Sequence, residues 1–288
     1  MTIRTRAFCG ALALLLAAGA PALAQDQTTQ PPATQPAATQ PETSDPDRRV
    51  DPLQPDFNLA ALPTTLRVPK GKGSFRVTHR FTRPLGRGDF GDLLSDFFGF
   101  DSGAQIGLEF RYGLLPGTQI GVHRTSDRTI EIFGQQSLLR QAADAHPIGL
   151  DVIATFEGTN NLREQKSGAL GVLVSRKVGR FAALYAEPIF IANTSPFEEG
   201  DNNTMMLGLG GRLRIRPATY LVGEITPRLS GYDPGVDQAS FGIEMRSGGH
   251  TFQINFSNGI GTTLGQIARG AGSNDSWFIG FNIARKFF

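Results

Sequence analysis

The feature that most narrows the folds open to this chain is a period of two in its apolar residues. From Ser74 to Phe81 the odd positions Phe75, Val77 and Phe81 are apolar, with His79 among them, while the even positions carry Ser74, Arg76, Thr78 and Arg80. Ala104, Ile106, Leu108, Phe110 and Tyr112 alternate in the same way with Gln105, Gly107, Glu109 and Arg111. Successive side chains of a strand point to opposite faces, so this period means strands with one apolar face. About twelve such segments follow one another, near 74–82, 103–112, 118–125, 128–138, 147–156, 168–177, 181–192, 204–215, 219–228, 239–246, 250–257 and 276–288. Most have close to the ~9–11 residues that a tilted strand needs to cross a bilayer. Glycine at 35 of 288 residues supplies many turns, and helix formers gather only near the N-terminus, which excludes a helical bundle.

The connections carry an independent signal. Those after even-numbered segments are short (113–117, 139–146, 178–180, 216–218, 247–249). Those after odd-numbered ones are long (83–102, 157–167, 193–203, 229–238, 258–275), with the Ser126-Asp127 turn as the exception. Short turns on one side, long loops on the other and both ends of the array on the short side are the pattern of an outer-membrane barrel whose long loops face outward. The expected fold is therefore all-β, a transmembrane antiparallel β-barrel of about twelve strands. A secreted β-sandwich that binds a ligand also alternates, but it explains neither the loop lengths nor the charges placed mid-strand opposite the apolar face. Phe287-Phe288 at the end of a strand matches what outer-membrane assembly machinery commonly recognises. The match is imperfect: Trp277, Ile279, Phe281, Ile283 and Phe287 share one parity, interrupted by Arg285, and Phe288 has the other. Outer-membrane lipid and that machinery are the expected partners.

Several runs carry a family resemblance: Phe75-Arg76-Val77-Thr78-His79-Arg80-Phe81, Gly88-Asp89-Phe90-Gly91-Asp92-Leu93, Phe98-Gly99-Phe100-Asp101-Ser102-Gly103-Ala104, Ile106-Gly107-Leu108-Glu109, and Arg124-Thr125-Ser126-Asp127-Arg128-Thr129-Ile130-Glu131. Across about residues 70–288 the chain resembles an uncharacterised family of bacterial outer-membrane β-barrel proteins, a domain of unknown function. The resemblance implies fold and location and brings no activity or site residues.

Ahead of the strands, Arg4 and Arg6 precede an apolar run from Ala7 to Ala20, and Pro21-Ala22-Leu23-Ala24-Gln25 has the small-x-small pattern of a signal-peptidase site. Residues 1–24 read as a signal peptide cleaved near Ala24, which points to the outer membrane of a Gram-negative bacterium. Cys9 falls within it, so disulfides, thiol chemistry and covalent haem attachment are excluded from the mature chain. Cleavage also removes Arg4 and Arg6, leaving 26 basic against 26 acidic residues, and a chain so balanced has no footprint for nucleic acid. Residues 25–56 are rich in Pro, Thr and Gln and read as a disordered leader, with the barrel domain over 57–288.

Parity places a set of charged side chains on the inner face. The candidate lumen-lining residues are Arg76, Arg80, Glu109, Arg111, Glu131, Asp151, Glu187, Arg212, Arg214, Glu224, Glu244 and Arg246. Their signs balance, which suits either an internal ion-pair network or a water-filled channel without ion selectivity. Phe90, Leu93, Leu94, Phe97 and Phe98 break the period and mark a short amphipathic helix, lying on the rim or folded inward with Asp89, Asp92 and Asp96 near the lumen arginines. His79, His123, His146 and His250 are scattered without metal-ligand spacing, and Gly208, Gly210 and Gly211 read as small inward residues of a strand, since no helix follows. Glu198-Glu199-Gly200-Asp201 is either a divalent-cation loop or a solvated acidic tip. No cofactor and no catalytic residue is expected, and a barrel-embedded hydrolase is the third reading after a pore, structural or binding barrel and the sandwich.

Overall fold

The alternating segments form strands that pair antiparallel with their neighbours in sequence. A computed structural model describes residues 50–142, 145–195 and 202–288. The strands are β1 (Gly73–Phe81), β2 (Ala104–Leu115), β3 (Thr118–Thr125), β4 (Ile130–Leu139), β5 (Gly149–Gly158), β6 (Glu164–Val178), β7 (Ala182–Ala192), β8 (Thr204–Arg216), β9 (Thr219–Thr226), β10 (Arg228–Gly231), β11 (Gln238–Ser247), β12 (His250–Ser257) and β13 (Phe278–Lys286). β9 and β10 are two halves of one strand. Pro227 between them has no N–H for the ladder, and β8 pairs with both halves. β1 also pairs with β13, from Ser74–Lys286 to Arg80–Gly280, so the sheet closes into a twelve-strand barrel. Closure leaves no unpaired edge, which a strand assembly in lipid requires.

The two faces separate as the alternation dictates. On β2 the outward Ile106, Leu108 and Phe110 are exposed, while Gln105, Glu109 and Arg111 are buried. At one end, the turn end, the connections other than that between β4 and β5 are tight. Gly248 and Gly249 take positive φ of 50° and 80° between β11 and β12, the backbone that a two-residue hairpin needs. The other long connections lie at the opposite, loop end.

The 89–100 segment forms a helix, Phe90–Ser95, with a capping box between Asp89 and Asp92, followed by a single 3₁₀ turn, Phe97–Gly99. It rests on the rim of the loop end. Phe90 is 70% exposed, and Phe100 packs edge-on against Phe81 of β1 at 4.7 Å. Asp96 pairs with Arg83, so the helix aspartates do not join the lumen arginines.

Two other segments occupy the interior. Residues 53–68, the strap, thread the barrel before β1 begins, and all but Arg67 are buried. They turn back at Leu59–Leu62, where the Leu59 N–H donates to the Leu62 carbonyl at 2.8 Å. Leu53 packs with Leu59, Leu62, Tyr185 and Tyr220. Residues 53–56, which composition places in the leader, are buried inside the barrel: Leu53 joins that cluster, the Pro55 carbonyl accepts from Thr251 and Asp56 lies against Lys286. From the loop end the β12–β13 connection folds inward and forms a wholly buried helix, Leu264–Ala268, capped by Thr263 and Gln266. The signal-peptide region, the leader up to residue 49 and the acidic tip 198–201 lie outside the described residues.

Candidate functional site

The inner wall is built by the inward-facing residues of each strand. Of the candidate lumen residues, Arg76, Arg80, Glu109, Arg111, Glu131, Asp151, Glu187, Arg212, Glu224 and Glu244 are buried, whereas Arg214 and Arg246 stand half-buried at the turn end. Glu224, whose parity is ambiguous in sequence, points inward with Tyr220 and Val222.

Four of these groups, Arg76, Arg80, Arg212 and Glu224, bind the backbone of the strap. The Glu224 carboxylate accepts from the N–H groups of Ala60, Ala61 and Leu62 at 3.0–3.1 Å. On the opposite side of the same turn, the Ala60 carbonyl accepts from Arg76 at 2.6 Å, Arg80 at 3.2 Å and Asn282 at 2.9 Å. The turn thus lies between a carboxylate wall that takes its N–H groups and a guanidinium wall that takes its C=O. Further along, Arg111 donates to the Asn58 side chain at 3.0 Å, and Gln135 and Gln253 reach the carbonyls of Thr64 and Leu59. Arg212 binds the Asn58 carbonyl and makes a two-pronged pair with Glu244 at 2.8 and 3.0 Å. Glycines make room for the strap: a Cβ on Gly210 would meet Leu59 at 2.4 Å, and one on Gly208 would meet Leu62 at 3.0 Å. Glu187, wholly buried, lies beside Gly208, and its carboxylate has no hydrogen-bond partner among the described residues.

The loop-end segment is held through its N–H groups. The Glu157 carboxylate accepts from Thr263 Oγ1 at 2.6 Å and the Gly265 N–H at 3.2 Å, and pairs with Arg269 at 2.8 Å. Glu131 accepts from the Leu264 N–H at 3.0 Å. These are the first orphan donors of a helix, the place where a carboxylate is most stabilising. Glu157, which the expected strand bounds leave in a loop, sits on β5, which runs to Gly158, with the inward parity of Asp151, and that parity is the signal for it. Lys286, also missed, is buried against Asp56 at 3.7 Å and donates to Thr251.

The wall is not polar throughout. Ile153, Leu173, Ile189, Ile191 and Met206 of β5–β8 face inward and form one buried cluster with Ala61 of the strap and Leu264, Ile267 and Ala268 of the loop. A second cluster at the turn end joins Phe57, Leu66 and Val68 with Phe288. The odd parity of Phe288 thus turns it onto the strap, while Phe287 stays on the outer face. Between strap and loop a cavity of about 20 Å³ remains, lined in part by Asn58, Glu109, His123 and Thr262. A wider pocket of about 280 Å³ opens at the turn end between the strap and Arg140, Gln141 and Lys177. The histidines stay apart: His79 stacks on Phe281, His123 is buried inside, His250 meets Arg285, and His146 is exposed.

An exposed apolar outer face around a closed antiparallel sheet defines a membrane β-barrel. The family model described as a membrane bound beta barrel domain (DUF5777) matches residues 56–287, and the chain belongs to that family. The match opens at Asp56, inside the strap and well before β1. No curated protein sequence matches the chain. Among solved structures, the NanC porin aligns over 76% of this chain and 100% of its own, with 7% identity and a TM-score of 0.51. The KdgM porin, solved with disordered oligogalacturonate, aligns over 75% and 99% at 7% identity and 0.46. A triple mutant of the Rhodopseudomonas blastica porin aligns over 64% and 55% at 9% identity and 0.33. At this identity the NanC likeness concerns the fold alone.

Proposed function

We propose that the protein is an outer-membrane barrel whose resting state is closed, stoppered from the turn end by its own N-terminal strap and from the loop end by the β12–β13 loop. The carrying observation is the apolar inner wall of β5–β8 and its cover of strap and loop residues. In an open channel Ile153, Leu173, Ile189, Ile191 and Met206 would face water, and each large apolar side chain kept from water contributes roughly 1.5–3 kcal/mol. This reading gives Arg76, Arg80, Arg212, Glu131, Glu157 and Glu224 the task of holding backbone groups, and no wall residue a catalytic role. The signal sequence 1–24 and the loop-length pattern support export to a Gram-negative outer membrane, with the turn end and strap on the periplasmic side.

Planar-bilayer recording tests the reading. The full chain is expected to be nearly silent, and a variant with residues 53–68 replaced by a Gly/Ser linker to show conductance steps. Deleting Asp89–Phe100 is expected to change nothing, since that segment lies on the rim. Retention of a heat-sensitive shift in gel migration reports that each variant is still a barrel. A full-length chain that conducts as freely as the strap variant overturns the closed resting state.

A further inference from the structure

The two ends of the barrel carry very different charge. At the loop end acids and bases are interspersed, as with Asp89, Asp92 and Asp233 among Arg87, Arg124 and Arg163. At the turn end Arg176, Arg180, Arg216 and Arg285 are exposed, with Lys70 and Lys72 beside the start of β1. Among the described residues the one acid left accessible there is Asp51, and Lys177 holds it at 2.7 Å. Among the described residues the turn end is thus a cationic ring whose one accessible acid is already paired.

The ring lies at the margin of the apolar belt. Arg180 stands between the exposed Val178 and Phe181, Arg216 follows the exposed Ile215, and Arg285 lies between the exposed Ile283 and Phe287. Arg285 shares the outward parity of those neighbours, and it contacts His250 and the Gly248 carbonyl at the lip of the hairpin. Arginines so placed lay their methylene stems along apolar surface and raise their guanidinium groups to the level where acyl chains give way to headgroups. A guanidinium there presents paired N–H donors that match a phosphate.

We propose that the turn end is a collar for anionic phospholipid headgroups, which fixes the depth of the barrel and places this end in the phospholipid leaflet. The outward parity of Arg285 and the apolar neighbours of each arginine favour a lipid over a soluble anion, which would meet the inward-facing cations of the mouth instead. The collar is independent of whether the lumen opens.

Spin-labelled lipids test it on the full chain folded in phosphatidylcholine bilayers. Phosphatidylglycerol is expected to enter the motionally restricted shell about fivefold in preference to phosphatidylcholine, the factor expected of a basic side chain at an anionic surface. The triple variant R176Q/R180Q/R285Q should lose most of that preference, and the loop-end variant R124Q/R128Q should keep it. Raising the salt to 1 M should weaken it in the unaltered chain, which needs no variant to fold. No preference in the unaltered chain, an undiminished preference in the triple variant, or its abolition by low millimolar inorganic phosphate would each overturn the collar, the last by assigning the cations to a soluble anion.

Discussion

The strap and the β12–β13 loop fill the same lumen from opposite ends, but the wall holds them through opposite poles of the peptide group. The strap is held mainly through carbonyls, on Arg76, Arg80, Arg212, Gln135, Gln253 and Asn282, with Glu224 as its principal acidic contact. The loop helix is held mainly through N–H groups, on Glu131 and Glu157, while Gln238 takes the Gly261 carbonyl ahead of it. An irregular chain exposes carbonyls along its whole length, which suits long arginine and amide side chains from several strands. A helix concentrates its free N–H groups at one end, which suits two carboxylates. The balanced charge of the wall thus reflects two differently shaped occupants, and ion pairing among wall residues, as in Arg212–Glu244, is only part of the account.

The sharpest test of the difference is Glu224→Ala. It leaves the buried N–H groups of Ala60, Ala61 and Leu62 without their acceptor, at a cost of about 3 kcal/mol in strap docking. Hydrogen exchange at 60–62 should then quicken by a factor on the order of 100, while the loop helix stays protected.

A smaller effect is expected of Glu157→Ala, which removes contacts to Thr263, Gly265 and Arg269. Arg269 keeps its bond to the Thr194 carbonyl and Glu131 still holds Leu264, so the loss is about 2 kcal/mol. Exchange should quicken at 263–268 and hardly at 60–62. If both segments loosen together, the apolar contact that joins Ala61 to Leu264 makes them one cooperative unit and not two independently held segments.

The smallest effect is one of pH. Burial tends to raise the Asp127 carboxyl, but hydrogen bonds from Thr125, Thr129 and Gln105 outweigh it and hold the group below its ordinary value. Asp127 also accepts from Gln266 of the loop helix at 2.9 Å. A carboxyl depressed in the folded state contributes stability that is complete above its unfolded value of ~4 and is lost as pH falls through the lower folded value. The contribution of Asp127 to loop protection at 264–268 should therefore be complete above about pH 4 and decline only below it. Asp127→Asn should remove that decline and leave the strap unchanged. The side chain is partly exposed to solvent, so screening keeps the effect slight.

The barrel itself was legible in the sequence because its determinants are local. Leu108 and Glu109, adjacent in the chain, must face opposite ways on a strand, and a two-residue hairpin such as Gly248-Gly249 is encoded where it occurs. Strand number and loop-length alternation followed from such short-range rules. The closing of the lumen did not, because its partners are remote. Ala60 meets a carboxylate 164 residues away and Leu264 one 133 residues away, and neither segment has a periodicity to announce a binding surface. Asn58 to Leu62 has no polar side chain beyond its asparagine, since the wall recognises its backbone, and a backbone looks the same in every sequence. Alternation gives Ile189 and Ile191 the parity of Glu187, and Met206 that of Arg212, but it cannot say what such inward apolar residues meet; only the filled lumen brings the strap and the loop against them.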